Sequence, residues 1–165
     1  IGGRRDLMQL FSPEAHRPVM HASTFSGNAL TMAAGYAAMS AFDANENQWI
    51  NELGDLLREG FNQAFQQSGI KGQAIGSGSL TNILFTDGEV TNARYSVDAM
   101  IEAGNVSHLL HLLMLQHGIS SASRLMYCTS TAMTETEVGK AVTAMNESLA
   151  ELRPYVERDR PHLLR

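Results

Sequence analysis

A run of hydroxyl residues, Ser23-Thr24-Phe25-Ser26-Gly27, stands immediately before Asn28 and a stretch of helix formers. A helix N-terminus offers unpaired N–H groups and a partial positive charge of about half a unit, so it attracts phosphate or carboxylate. The hydroxyls of Ser23, Thr24 and Ser26 would add donors. By local pattern alone, capping and turn-shaping are the commoner use of such a run. A second segment, Ser120-Ser121-Ala122-Ser123-Arg124-Leu125-Met126-Tyr127, sets one arginine among small hydroxyl residues in an expected strand. The Arg124 fork suits bidentate carboxylate binding, the alternative being an edge-strand arginine that simply reaches solvent.

Other chemistries find less support. His108 and His111 share a helix face and His117 ends that helix, but the segment lacks the carboxylates or cysteines a metal would need. No metal site is expected, and the histidines are read as structural. Gly76-Ser77-Gly78-Ser79 lacks a third glycine and precedes a strand instead of following one, so it is no dinucleotide fingerprint. Nothing resembles G-x-S-x-G, which leaves a hydrolase without its nucleophile elbow. Ten arginines stand against only two lysines, Lys71 and Lys140, so little lysine chemistry is available. Nine methionines at helical spacing read as core filler.

The 165 residues suffice for one domain with a real core, and 44 % apolar with 18 % charged residues is a globular balance. Twelve basic against seventeen acidic residues, a net charge of −5, argue against a nucleic-acid binder. A lone cysteine, Cys128, forms no internal disulfide and fits a reducing compartment. There is no apolar run of roughly 18 residues for a membrane span and no signal-peptide pattern, so a cytoplasmic protein is expected. The chain opens on Ile1, not Met, and is expected to be a processed product, a trimmed chain or a piece of something longer.

The elements that must position these residues are an α/β set. Pro13 and Pro18 keep the first 27 residues irregular, and Asn28 caps a helix of small residues from Ala29 to Met39, expected to be buried. Trp49, Leu53, Leu56, Leu57, Phe61 and Phe65 mark one face of a second helix that Gly69 stops. Leu80 to Thr86 reads as a strand closed by Asp87-Gly88, residues 88–104 as a connection, and Asn105 to His117 as a helix ended by Gly118. Ile119 to Ser130 can hold another strand. Thr134-Glu135-Thr136-Glu137 is a capping box that opens a helix with Val138, Val142, Met145, Leu149 and Leu152 inward. The expected organisation is a leader over 1–44, an α/β unit over 45–152 and a solvated charged tail over 153–165.

The leader is more specific than its parts. Ile1-Gly2-Gly3-Arg4-Arg5-Asp6-Leu7-Met8, followed by the run from His21 through Asn28 to Gly35, resembles the class III (ornithine/GABA-type) pyridoxal-phosphate aminotransferases. Their pattern here is GGR-x-x-I/L-M, then H-x-G-T-F-x-x-N-x-L-T-M-A-A-G. The branch of glutamate-1-semialdehyde aminomutase and the β-amino-acid aminotransferases is the nearest in pattern. The likeness continues through Ile50 to Arg58 and Leu115 to Ile119 as far as the Thr134 capping box, so it covers nearly the whole chain.

That resemblance implies the C-terminal small domain of a fold-type I pyridoxal-phosphate enzyme, preceded by an interface loop and a linking helix. It implies that Thr24, with Ser23 and Phe25, binds the cofactor phosphate across a homodimer interface. It implies that Arg124 holds the carboxylate of a small-molecule amino donor. Ser23 replaces the usual glycine of the loop, and serine does not readily take positive φ. Ala29 replaces a frequent proline in the first helical turn, a tolerated change. The Schiff-base lysine of the family lies before the GGR segment, and neither Lys71 nor Lys140 has its context. The chain is therefore expected to be a fragment of an aminotransferase or aminomutase that is inactive alone. The alternative is a non-catalytic relic that binds itself or a partner through residues 1–44, with a third reading as an anion-binding module built on Thr24.

Overall fold

A helix whose apolar residues recur every three or four positions is stable only against something that covers that stripe. In a computed structural model describing residues 2–165, such stripes organise the larger of two units, Ala44–Arg165; the other runs to Asp43. Ile1, the first residue of the family-like leader, lies outside the described residues.

The smaller unit opens with a short helix α1 (Arg5–Met8), a 3-10 turn (Gln9–Phe11) and an irregular stretch that leads to helix α2 (Ala29–Ala41). Asn28 caps α2, its Oδ1 accepting from the N–H groups of Leu30 at 3.0 Å and Thr31 at 3.1 Å. Contrary to the expectation of burial, every residue of α2 is exposed, including Leu30, Met32, Tyr36 and Met39. The small residues allow close packing, but within its own unit no described residue buries the helix.

In the larger unit, α3 (Ala44–Ser68) buries Leu53, Leu57, Phe61 and Phe65, each fully or nearly so, and leaves Leu56 exposed. It packs along α6 (Glu135–Asp159), which buries Val138, Met145, Leu149, Leu152 and Val156. Full burial of a side chain such as Phe61 or Leu149 contributes roughly 1.5–3 kcal/mol. The capping box at the head of α6 forms as expected, with the Thr134 hydroxyl and Glu137 carboxylate serving each other's ends of the turn.

Against α3 packs a three-stranded antiparallel sheet, β1 (Gln73–Ser77), β2 (Leu80–Leu84) and β3 (Met126–Cys128), in sequence order. Ala74 pairs with Ile83 across the β1–β2 hairpin, and Thr81 pairs with Tyr127 across β2–β3. The Asn62 amide on α3 both accepts from the Ala74 N–H at 2.8 Å and donates to its carbonyl at 3.1 Å, pinning β1 to the helix. Arg58 does the same for the hairpin turn, donating through Nη1 to the carbonyls of Gly78 at 2.9 Å and Leu80 at 2.8 Å. Gly54 is required where α3 crosses that turn, because a Cβ there would collide with the Gly78 carbonyl.

Four expectations change. The Gly76-Ser77-Gly78 fragment belongs to a hairpin whose first strand, β1, escaped notice because glycines dilute its pattern. Residues 88–104 hold a helix, α4 (Ala93–Ala103), capped by Asn92 and buried only through the small Ala99 and Ala103. The strand expected over Ile119 to Ser130 shrinks to β3, preceded by turns. The 153–165 segment is not a solvated tail. Helix α6 runs through Pro154 to Asp159, Leu163 is buried, and the Leu163 carbonyl accepts the Lys71 N–H at 2.6 Å. An Ile70–Leu164 bridge and an Arg165 N–H to Gly69 carbonyl bond tie down the end.

Candidate functional site

The hydroxyl run before α2 folds into two successive tight turns. The Ser26 N–H donates to the Ser23 carbonyl at 3.0 Å, and the Asn28 N–H donates to the Phe25 carbonyl at 3.2 Å. Gly27 takes φ +70°, where a side chain would be strained. Ser23 does not need positive φ, so its substitution for glycine leaves the loop unstrained. The Ser23 hydroxyl accepts the Phe25 N–H at 3.4 Å. Asn28 already satisfies two N–H groups of α2, so the helix end is partly spent on its own cap. What the loop still offers is Thr24: exposed, with neither its N–H nor its hydroxyl bonded to another described residue. A donor pair of this kind suits an anion.

Arg124 occupies the larger unit and lies in the turn before β3, not inside a strand. Its guanidinium is exposed and donates through Nη2 to the Met126 thioether at 3.3 Å, a weak acceptor that leaves most of the fork unspent. The turn is held from behind by His111 on α5 (Val106–Gln116), whose Nδ1 lies 3.0 Å from the Ser121 hydroxyl. Beside it, Tyr127 packs edge-on against Phe61 with ring centroids 5.2 Å apart. Burial pushes the Tyr127 phenol up to about 12, with the nearby Ser121 hydroxyl pulling the other way, and the phenol makes no hydrogen bond of ordinary geometry. Tyr127, Ser120 and Ile119 also line an apolar hollow of about 350 Å³ against the first turns of α6.

Neither lysine stands in the unit that carries Thr24. Lys71 is half-buried beside the chain end, and the exposed Lys140 lies on α6, 3.6 Å from Glu137. His117, read as merely ending α5, reaches two carboxylates of α6, Glu147 at 3.1 Å and Glu151 at 2.8 Å. Among the described residues no cluster of three or more His, Cys, Asp or Glu could hold a metal ion. Nor is any described helix long and apolar enough to cross a membrane.

No family model matches the chain. The beta-phenylalanine transaminase of Variovorax paradoxus is 34 % identical over 146 residues, covering 88 % of this chain and 33 % of that protein. The glutamate-1-semialdehyde 2,1-aminomutase of Alkaliphilus oremlandii is 34 % identical over 156 residues, 92 % of this chain and 34 % of its own length. An omega-transaminase structure from Sphaerobacter thermophilus superposes with a TM-score of 0.79 at 31 % identity, over 92 % of this chain and 35 % of that one. The chain belongs to the class III pyridoxal-phosphate aminotransferases. Within that family it corresponds to a C-terminal portion, about a third of the length of the relatives it matches.

The residues read as a site fall in both units, Ser23, Thr24 and Phe25 in one and Arg124 in the other. Of the residues around Arg124, Leu125 and Tyr127 were read from the sequence only as its neighbours. His111 was visible only as a helix-face histidine, and a leucine gives no signal of the backbone conformation it adopts at position 125.

Proposed function

We propose that this chain contributes two working surfaces to a pyridoxal-phosphate-dependent aminotransferase or aminomutase. The first is the loop at Ser23, Thr24 and Phe25, which grips the cofactor phosphate of the partner subunit in a homodimer. Thr24 donates its hydroxyl and backbone N–H to phosphate oxygens, and Ser23 holds the turn that presents them. The second is the substrate side of the small domain, where Arg124 receives the carboxylate of an amino acid or amino aldehyde in a two-pronged, charge-assisted pair.

Bound pyridoxal phosphate would supply the electron sink for amino-group transfer. The residues present fit its phosphate, because the Thr24 donors are exposed and unspent. The amine that works at the cofactor aldehyde comes from outside these 165 residues, since neither Lys71 nor Lys140 has the sequence context of the family's Schiff-base lysine. The chain by itself is therefore inactive, and its setting is cytoplasmic, in keeping with its exposed free thiol at Cys128.

The observation that carries this reading is the exposed Thr24 turn in a chain of this family. Its test is to add pyridoxal phosphate to the purified chain, and to the chain assembled with a lysine-bearing partner, and to follow cofactor absorbance and amino-group transfer. Colour and turnover are expected only in the assembly. Failure in the assembly would remove the enzymatic reading and leave the second one, a non-catalytic self-associating or partner-binding module. The exposed Leu30, Met32, Tyr36 and Met39 of α2 favour a partner surface under either reading.

A further inference from the structure

Among the described residues Leu125 is the one non-glycine residue with positive φ, at 61°. A left-handed backbone is unfavourable for a bulky L-residue and persists only where its surroundings over-determine it. Three backbone hydrogen bonds and a buried side chain do so here. The Leu125 N–H donates to the Ala122 carbonyl at 2.8 Å, the Ala122 N–H donates to Met126 at 3.0 Å, and the Leu125 carbonyl accepts the Ile83 N–H at 3.1 Å. The Leu125 side chain is 0 % exposed and belongs to the main core. Glycine would adopt this backbone freely but would bury nothing. The neighbours on either side differ sharply: Ser123 and Arg124 are exposed at the apex, while Met126 begins β3.

We propose that Leu125 is a positioning residue for Arg124: its left-handed backbone turns the arginine outward while its buried side chain anchors the apex to the core. The proposal rests on the reading of Arg124 as the carboxylate receptor and adds what aims it. The chain turns outward after the partly buried Ala122, reverses, and enters the core at Leu125, so any backbone change at Leu125 redirects the residue just before it. The single contact from Arg124 Nη2 to Met126 Sδ, at 3.3 Å, then settles the guanidinium without consuming the fork.

The test titrates isotope-labelled 165-residue chain with β-phenylalanine, following the amides of residues 122–126 in every variant and the Arg124 Nε–H resonance where it is present, with core resonances reporting folding. Wild type is expected to give a saturable shift, and Leu125→Met, which keeps both burial and handedness, is expected to match it. Leu125→Val keeps an apolar side chain but penalises the left-handed backbone. Its half-saturation concentration should rise about tenfold, equivalent to ~1.4 kcal/mol. If Leu125→Val does not fold, Leu125→Gly is read in its place, with the same weakening expected from the lost anchor. Unchanged half-saturation in the folded variant, while Arg124→Gln abolishes the response, overturns the positioning role alone. If residues 122–126 respond in Arg124→Gln as in wild type, the carboxylate role of Arg124 falls, and the proposal with it.

Discussion

His111 on α5 and Ser121 in the Arg124 turn meet at 3.0 Å between Nδ1 and Oγ, joining a helix to the loop that faces the proposed substrate. Removing the hydroxyl leaves the half-buried imidazole without that partner. Ser121→Ala is expected to cost about 1 kcal/mol in urea unfolding. It should also speed amide exchange across residues 120–124 while leaving the α3 amides protected. Equal exchange in wild type and Ser121→Ala would mean that the contact does not hold the turn.

Gly54 faces the hairpin turn so closely that a methyl group would strike the Gly78 carbonyl. Relief requires moving backbone that Arg58 also holds. Gly54→Ala is expected to destabilise the chain by about 1–3 kcal/mol, despite the better helix propensity of alanine. A rise in thermal midpoint would show that the turn yields freely.

The capping box carries a pH signature. Hydrogen bonds from the Thr134 hydroxyl and then the Thr134 N–H hold the Glu137 carboxyl at about 2, well below its ordinary 4.5. A group held low in the folded state contributes stability above its unfolded value and loses it as pH falls toward the folded one. Wild type is therefore expected to exceed Glu137→Gln in denaturant midpoint at pH 6 and to converge with it between pH 4.5 and about 2. Thr134→Ala, which removes the cap, should cost about 1 kcal/mol. Parallel pH profiles for wild type and Glu137→Gln would contradict this account.

The chain end is a structural element. Leu163 is 3 % exposed and its carbonyl receives the Lys71 N–H. Leu163→Ala should cost about 2–4 kcal/mol as a buried leucine truncation. A solvated tail would give no change in unfolding midpoint.

What could be read from the sequence follows from how each element is held. Helices α3, α5 and α6 announce themselves because their buried leucines, phenylalanines and valines repeat at helical spacing, and Asn28 and Thr134 are caps with a visible chemistry. Helix α4 was hidden because its buried positions are the small Ala99 and Ala103 while Val97, Met100 and Ile101 face outward. Residues 153–165 read as a solvated charged tail, yet Val156 and Leu163 supply the burial that keeps the end folded. At the candidate site, the neighbouring hydroxyls drew attention to Thr24 and Arg124, but local pattern alone favoured a cap and a solvent-reaching arginine, and only the family resemblance made them site candidates. The devices behind Arg124 were not legible: a positive φ at Leu125 and a hydrogen bond from His111 depend on long-range packing that no local pattern encodes.

The central claim is that Thr24 grips the cofactor phosphate. The direct measurement is the dissociation constant of pyridoxal phosphate for the assembled enzyme containing this chain, compared with Thr24→Val, with dimer content checked in both. Loss of one hydrogen bond to a charged group, about 1.5–3 kcal/mol, should raise that constant roughly tenfold or more. An intact Thr24→Val dimer that binds the cofactor as tightly as wild type would contradict the account.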